Sequence, residues 1–409
     1  MTILIALYAH PEAYPPTLNA IMECARRAEK VVVVCRRTLP THWEFPDNVE
    51  LVFTTPLIDV ADLDGVSAAR KAVHFARFVA AIRGAIRTEG VEVAIAYDAI
   101  PLLACAMAKA EARGEFLLWY HNHDARSPAD HTLFSVGWVA ELLESRLFSL
   151  LDLFSLPAAE RLEFFPVEKV RDRLYHIPNY PPKHLYAADA IEEADDDRDL
   201  CRRRRSDRQG FGQPIGGEIR MIYQGSIGPH HGFEEIFPYL KRRVEGRGLR
   251  LTLMGKAWPR YRRHLEELVR RLGIEQRVSF MDFQPYAAVR QVLMAHDVGL
   301  AIHKPVGITY STGGTASNKI YEYAAAGLPV VLLDNDHYRR YLGDYDWTVF
   351  TDLGWASLRG CLERILQHYE AMSESARSDF RADLNFEKVF RPVLDGAISR
   401  RFGAGGGSA

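Results

Sequence analysis

The chain has 409 residues, too many for one compact core and about the number expected for two domains. Hydrophobic residues make up 48% and charged residues 25%, which excludes wholesale disorder. Lys plus Arg number 51 against 53 Asp plus Glu, a net charge of −2, so no global attraction toward nucleic acid exists and none is expected as a partner.

The opening MTILIALYAHPE has no basic leader region and reads as a buried strand, not a signal peptide. Five cysteines (Cys24, Cys35, Cys105, Cys201, Cys361) are scattered without CxxC spacing, which suits a reduced, cytoplasmic compartment better than a disulfide framework or a zinc site. No apolar run approaches the roughly 20 residues of a membrane span. Any membrane contact is therefore expected to be peripheral, on the inner face.

In chain order, residues 2–8, 30–35, 49–53, 91–97, 115–120 and 152–156 read as strands, several of them apolar on both faces as in a helix-covered parallel sheet. Between them, the 68–87 segment puts Phe75, Phe78, Val79, Ile82 and Ile86 on one helical stripe. Arg70, His74 and Arg77 flank that stripe on one side, Arg83 and Arg87 on the other. This is a core helix with solvated cations, or else a face for anionic lipid. Strand–helix alternation of this kind predicts a doubly wound α/β domain over 1–182. The pattern then lapses through a charged stretch, 183–217, with Asp195, Asp196 and Asp197 followed by Arg202 to Arg205. A DxD metal site works at the end of a buried strand, so these aspartates in a polar linker are not expected to hold one. The rhythm restarts with strands at 218–224, 249–255, 277–280, 297–303, 328–333 and 346–350, giving a second α/β domain over 218–385. Residues 386–402 and a flexible 403–409 tail complete the chain.

Chemistry concentrates at 313–333, GGTASNKIYEYAAAGLPVVLL. Thr315 or Ser317 caps a helix that Gly327 stops. A helix N-terminus presents unpaired N–H groups and partial positive charge, an anion site to which Lys319 adds a full charge. Glu322, one turn on, can accept hydrogen bonds from two ribose hydroxyls. A second signal is IYQGSIGPHHGFEEI (222–236), a strand followed by Gly225, Gly228 and Gly232, though a plain tight turn explains those glycines as well.

In residue order these pieces resemble the nucleotide-binding half of GT-B glycosyltransferases, most closely retaining family four (glycosyl transferases group 1). SNKIYEYAAAGLPVV is similar to that family's P-[SN]-K-[LI]-x-E-Y-x-A-x-G-x-P-V-[VI] motif, and RVSFMDFQPYAAVRQVLMAHDVGLAIH, LYHIPNYPP and WYHNHD resemble further segments. The resemblance implies a GT-B fold, two doubly wound Rossmann-like domains facing a cleft, with 386–402 returning to the first domain. It implies a nucleotide-diphosphate-sugar donor, a glycan, lipid-linked or small-molecule acceptor, retention, and no metal or other cofactor, the nucleotide sugar being a substrate. His123 (His121 as alternate) and Lys319 are the catalytic residues it implies. Gly225, Ser226, His231, Thr315, Ser317, Asn318, Lys319 and Glu322 would bind the donor, with Gln284 as a secondary candidate. The sequence departs from the family pattern at Gly314, where many members carry the first of two glutamates, at Ser226 in place of Arg, and at His231 in place of Lys. The rival expectations are a nucleotide-sugar epimerase on the same fold and a non-catalytic nucleotide-sugar-binding partner protein.

Overall fold

The computed structural model describes residues 1–58, 66–112, 116–186 and 216–403. The expected linker falls largely, and the expected tail almost wholly, outside these residues, as do Asp195 to Asp197 and Arg202 to Arg205. The chain divides into two compact units, the first comprising Met1–Asn179 and the chain from Phe386 onward, the second Tyr180–Asn385.

Unit 1 is a seven-stranded, all-parallel sheet. In chain order its strands are β1 (Thr2–Leu7), β2 (Lys30–Cys35), β3 (Val49–Phe53), β4 (Val91–Tyr97), β5 (Leu117–His121), β6 (Leu153–Leu156) and β7 (Leu174–His176). Their spatial order is β3-β2-β1-β4-β5-β6-β7. Alternate residues of a strand face opposite ways. Ile3, Ile5, Val31, Val33, Val93, Ile95 and Trp119 meet Ala20, Ile21 and Cys24 of the Pro15–Ala25 helix on one face. Phe386, Phe390, Val393 and Leu394 of the final helix, Phe386–Gly403, join the same core. The Ala68–Thr88 and Ala99–Glu111 helices cover the opposite face, and Val136–Leu147 packs beside them.

The Ala68–Thr88 helix buries Phe78, Val79, Ile82 and Ala85, while Phe75 and Ile86 are half-buried. His74 is buried too, which corrects its expected place beside solvated Arg70 and Arg77. It lies one turn before Phe78 and so shares the core-facing side.

Unit 2 adds β8 (Glu218–Gln224), β9 (Arg243–Val244), β10 (Arg247–Met254), β11 (Val278–Met281), β12 (Val298–Ala301), β13 (Val330–Leu333) and β14 (Thr348–Thr351). The main sheet runs β11-β10-β8-β12-β13-β14, with parallel pairing throughout. The short β9 pairs antiparallel with β10 through a Glu245-Gly246 turn in which both residues have positive φ. The strand expected over 297–303 is shorter than its apolar run, since Ile302 and His303 have already left the sheet.

Candidate functional site

In an open α/β sheet, ligands bind beyond the carboxyl ends of the strands where the strand order reverses. In unit 2 the reversal lies between β8 and β12, neighbours in space joined to chains that run off in opposite directions. The segments leaving these two strands carry nearly all the donor-binding residues expected from sequence. Gly225 directly follows β8 with φ +125°, and a Cβ there would lie 3.1 Å from Lys319 Cε. Glycine gives the lysine its passage over the strand end.

Ser317 occupies the N-cap position of the Asn318–Ala325 helix, but its side chain makes no cap hydrogen bond. Thr315, buried, belongs to the separate Gly313–Ala316 turn. Ser317 Oγ and Asn318 Oδ1 are buried without a hydrogen-bond partner among the described residues. The helix ends as its sequence predicts, with Gly327 at φ +72°. Glu322 is 1% exposed, and burial raises its carboxyl to about 7 despite the hydrogen bond it accepts from Gln224 Nε2 and the charge of Lys319. Burial likewise lowers Lys319 to about 8, against the opposing pull of Glu322.

Around Lys319 lies a network of aromatic and imidazole groups. Lys319 Nζ is 3.1 Å from His303 Nε2 and 5.3 Å from the centre of the Tyr223 ring. The Tyr223 hydroxyl donates to the Ser226 carbonyl at 2.8 Å and lies 3.0 Å from His303 Nε2. His231 Nδ1 accepts from the Gly228 N–H at 3.1 Å, which leaves its ring proton on Nε2, 3.1 Å from the Tyr310 hydroxyl. Burial first, then the charge of Lys319, pushes His231 down to about 3. His231 is therefore neutral, with both ring nitrogens used inside the protein. Lys319 is the cation of this network. Ser226 is exposed, and it enters the network through its carbonyl. Gln284, half-buried beyond β11, donates to the Asp282 carbonyl at 3.1 Å and has no hydrogen bond to the Lys319 network.

Unit 1 has its own reversal point, between β1 and β4. His123, two residues past β5, lies there. Its ring stacks on Tyr97 (centroids 4.8 Å apart) and Tyr14 (5.4 Å), which follow or end β4 and β1. Its N–H donates to Asp98 Oδ1 at 2.8 Å, its Nδ1 is 3.6 Å from Asp98 Oδ2, and its Nε2 is 3.3 Å from Thr17 Oγ1. Burial raises the Asp98 carboxyl, but the hydrogen bonds and charge of His123 outweigh it and hold the group below its ordinary value. Asp98 has φ +69°, a strained backbone for a non-glycine residue, of the kind that collects at functional sites. His121 is committed to the core instead. Its Nδ1 is 2.8 Å from Ser155 Oγ, which also accepts from Trp119 Nε1, and burial holds it neutral. Among the described residues no group of three or more His, Cys, Asp or Glu side chains converges on a metal-sized site.

Sequence reasoning missed Asp98, Tyr223, Gln224 and His303. Each lies within two residues of the end of a buried parallel strand, and a polar residue at that point is the signal that could have found them.

Residues 220–357 match the family profile of glycosyl transferases group 1. The second unit carries a group 1 glycosyl transferase domain. The fold is that of GT-B glycosyltransferases. HepE from Anabaena, solved with UDP and glucose, is 16% identical over 98% of this chain and 100% of its own, with a TM-score of 0.65. Sucrose-phosphate synthase from Thermosynechococcus elongatus is 14% identical over 99% of both chains, with a TM-score of 0.65. A candidate UDP-N-acetylglucosamine 2-epimerase from Listeria monocytogenes is 15% identical over 98% and 97%, with a TM-score of 0.58. At these identities the likeness concerns the fold. No curated protein sequence matches the chain.

Within the group 1 domain, the departure at Gly314 has a steric cause. A Cβ at Gly314 would lie 2.8 Å from His337 Nε2 and 3.2 Å from Tyr341 Cβ, and the Gly314 N–H donates to that same His337 nitrogen at 2.7 Å. His337 takes the space that a side chain at position 314 would need.

Proposed function

We propose that the chain transfers a sugar from a nucleotide-diphosphate sugar to a hydroxyl of a glycan, a lipid-linked sugar or a small molecule, with retention of configuration. The observation that carries this reading is the placement of Lys319, the open N-terminus of its helix and the buried Glu322 together at the reversal point of the group 1 domain. Glu322 takes the ribose hydroxyls. Lys319 and the helix N-terminus take the diphosphate. As the sugar–phosphate bond breaks, negative charge grows on the leaving oxygen, and a fixed cation with oriented N–H groups stabilises that charge more than it stabilises the bound donor. No described helix is long and apolar enough to cross a membrane.

UDP-glucose is the first donor to test, because HepE has been solved with it. Incubated with the protein and a panel of acceptors, UDP-glucose should release UDP in proportion to the acceptor glycosylated, and the rate should survive excess EDTA. His123→Ala should lower kcat about tenfold or more while leaving UDP affinity near wild type, because His123 belongs to turnover and not to nucleotide binding. An epimerised sugar nucleotide formed without any acceptor would replace this reading with the epimerase one. Tight UDP binding with no turnover on any donor would replace it with the binding-protein one.

A further inference from the structure

An ammonium group offers three donors and no acceptor. With Lys319 as an ammonium, the nitrogen 3.1 Å from its Nζ, His303 Nε2, is assigned the lone pair and Nδ1 the ring proton; the Tyr223 hydroxyl, 3.0 Å from the same nitrogen, is its other neighbour. His303 is 4% exposed and two residues past β12. Its ring lies parallel to Tyr310 with centroids 5.1 Å apart, and edge-on to His231 at 4.8 Å, so it has little freedom to turn. Burial, reinforced by the charge of Lys319, holds its pKa well below the ordinary histidine value. The result is a fixed, uncharged acceptor. A carboxylate in the same place would hold the lysine but cancel its charge, and it would repel an incoming phosphate. Neutral imidazole holds the lysine and leaves the charge available, with two N–H donors still unused.

We propose that His303 is the positioning residue for Lys319, fixing Nζ at the reversal point so that its two remaining donors meet the diphosphate of a bound nucleotide. This inference rests on the donor-site reading of Lys319. The groups facing Lys319 are Glu322 on its own helix, Tyr223 from β8, His231 from the segment after β8, and His303 itself. Burial keeps both histidines neutral and raises Tyr223 well above its usual value, and Glu322 titrates near 7. Above that pH, Lys319, at about 8, is the group left to titrate. UDP affinity should therefore fall as the pH passes through 8 and the ammonium loses its proton.

The test is calorimetric titration of the full chain with UDP and with UMP between pH 7 and 9.5, on wild type, His303→Leu, His303→Gln and Lys319→Ala, each verified as folded by near-UV circular dichroism. His303→Leu removes the acceptor. It should weaken UDP roughly tenfold, move the alkaline loss of affinity to lower pH, and leave UMP nearly unchanged. His303→Gln keeps an acceptor oxygen at similar length and should recover most of the UDP affinity. If His303→Leu binds UDP as wild type does while Lys319→Ala is weakened, the positioning role is wrong. Equal losses for UDP and UMP in both His303 variants would make His303 merely structural and also overturn it. Unchanged UDP affinity in Lys319→Ala would instead overturn the donor-site reading on which the proposal stands.

Discussion

Lys319 and Glu322 lie one turn apart on the same helix, and burial moves each toward its neutral form, the lysine to about 8 and the glutamate to about 7. On the proposed donor-site reading, a bound diphosphate would supply the negative charge that favours the ammonium, which would couple occupancy to the protonation of Lys319. In the described structure the Glu322 carboxylate already accepts from Gln224 and from Tyr286, using two of its roughly four lone-pair sites. A different carboxyl shows how burial sets a pH response. Glu144 is 8% exposed in unit 1, accepts a hydrogen bond from Tyr120, and is raised from 4.5 to about 8, chiefly by burial and despite that hydrogen bond. Because the folded pKa is the higher one, the folded state holds this proton more tightly than the unfolded chain does. The resulting stability is fully present below pH 4.5 and is lost as the pH rises to about 8. Glu144→Gln keeps an acceptor for Tyr120 and removes the titration. Thermal melts should show the variant more stable than wild type at pH 8.5, on the order of a few kcal/mol, with the difference much reduced at pH 4.5. A variant no more stable than wild type at pH 8.5 would show that the fold does not raise the Glu144 carboxyl.

The helix bearing Lys319 and Glu322 is seated against the sheet by a close approach. A Cβ on Gly299, in β12, would lie 2.3 Å from Tyr323 Cδ2, and the Tyr323 hydroxyl receives the Gln224 N–H at 2.9 Å. Gly299→Ala should push Tyr323 and its helix off the strand. We expect a loss of about 1–3 kcal/mol in stability from overpacking, together with weaker UDP binding as Lys319 and Glu322 shift. An alanine variant that melts and binds like wild type would show that the helix position is not set there. At this scale much was legible in advance. Runs such as KVVVVC and VEVAIAY are apolar on both faces because helices cover both sides of the sheet, and such runs announce themselves. The strands that escaped notice, β7 and β9, have three and two residues, too few for any periodicity. The SNKIYEYAAAG helix was legible because cap position, cation and carboxylate are local in sequence. The partnership of Tyr223 with His303 spans 80 residues and arises only when β8 and β12 become neighbours. The same holds for Asp98 and His123, which the sheet brings together from two different strand ends.

Across the molecule, the chain leaves unit 1 after Asn179, builds unit 2, and returns through a final helix whose Phe386, Phe390 and Leu394 complete the unit 1 core. Phe390 stacks on Trp119 at 5.4 Å, and Arg391 pairs with the buried Glu23. The fold alone leaves the chemistry open, since one architecture hosts many activities and function resides in the site. The central claim is that the group 1 domain holds a nucleoside diphosphate between Lys319 and Glu322. Its most direct test is calorimetric titration of UDP into wild type, Lys319→Ala and Glu322→Gln at pH 7.5. The account predicts saturable one-to-one binding in wild type, weakened by about 1–3 kcal/mol in Glu322→Gln and comparably in Lys319→Ala, with both variants folded. UDP binding of undiminished affinity in both variants would contradict it.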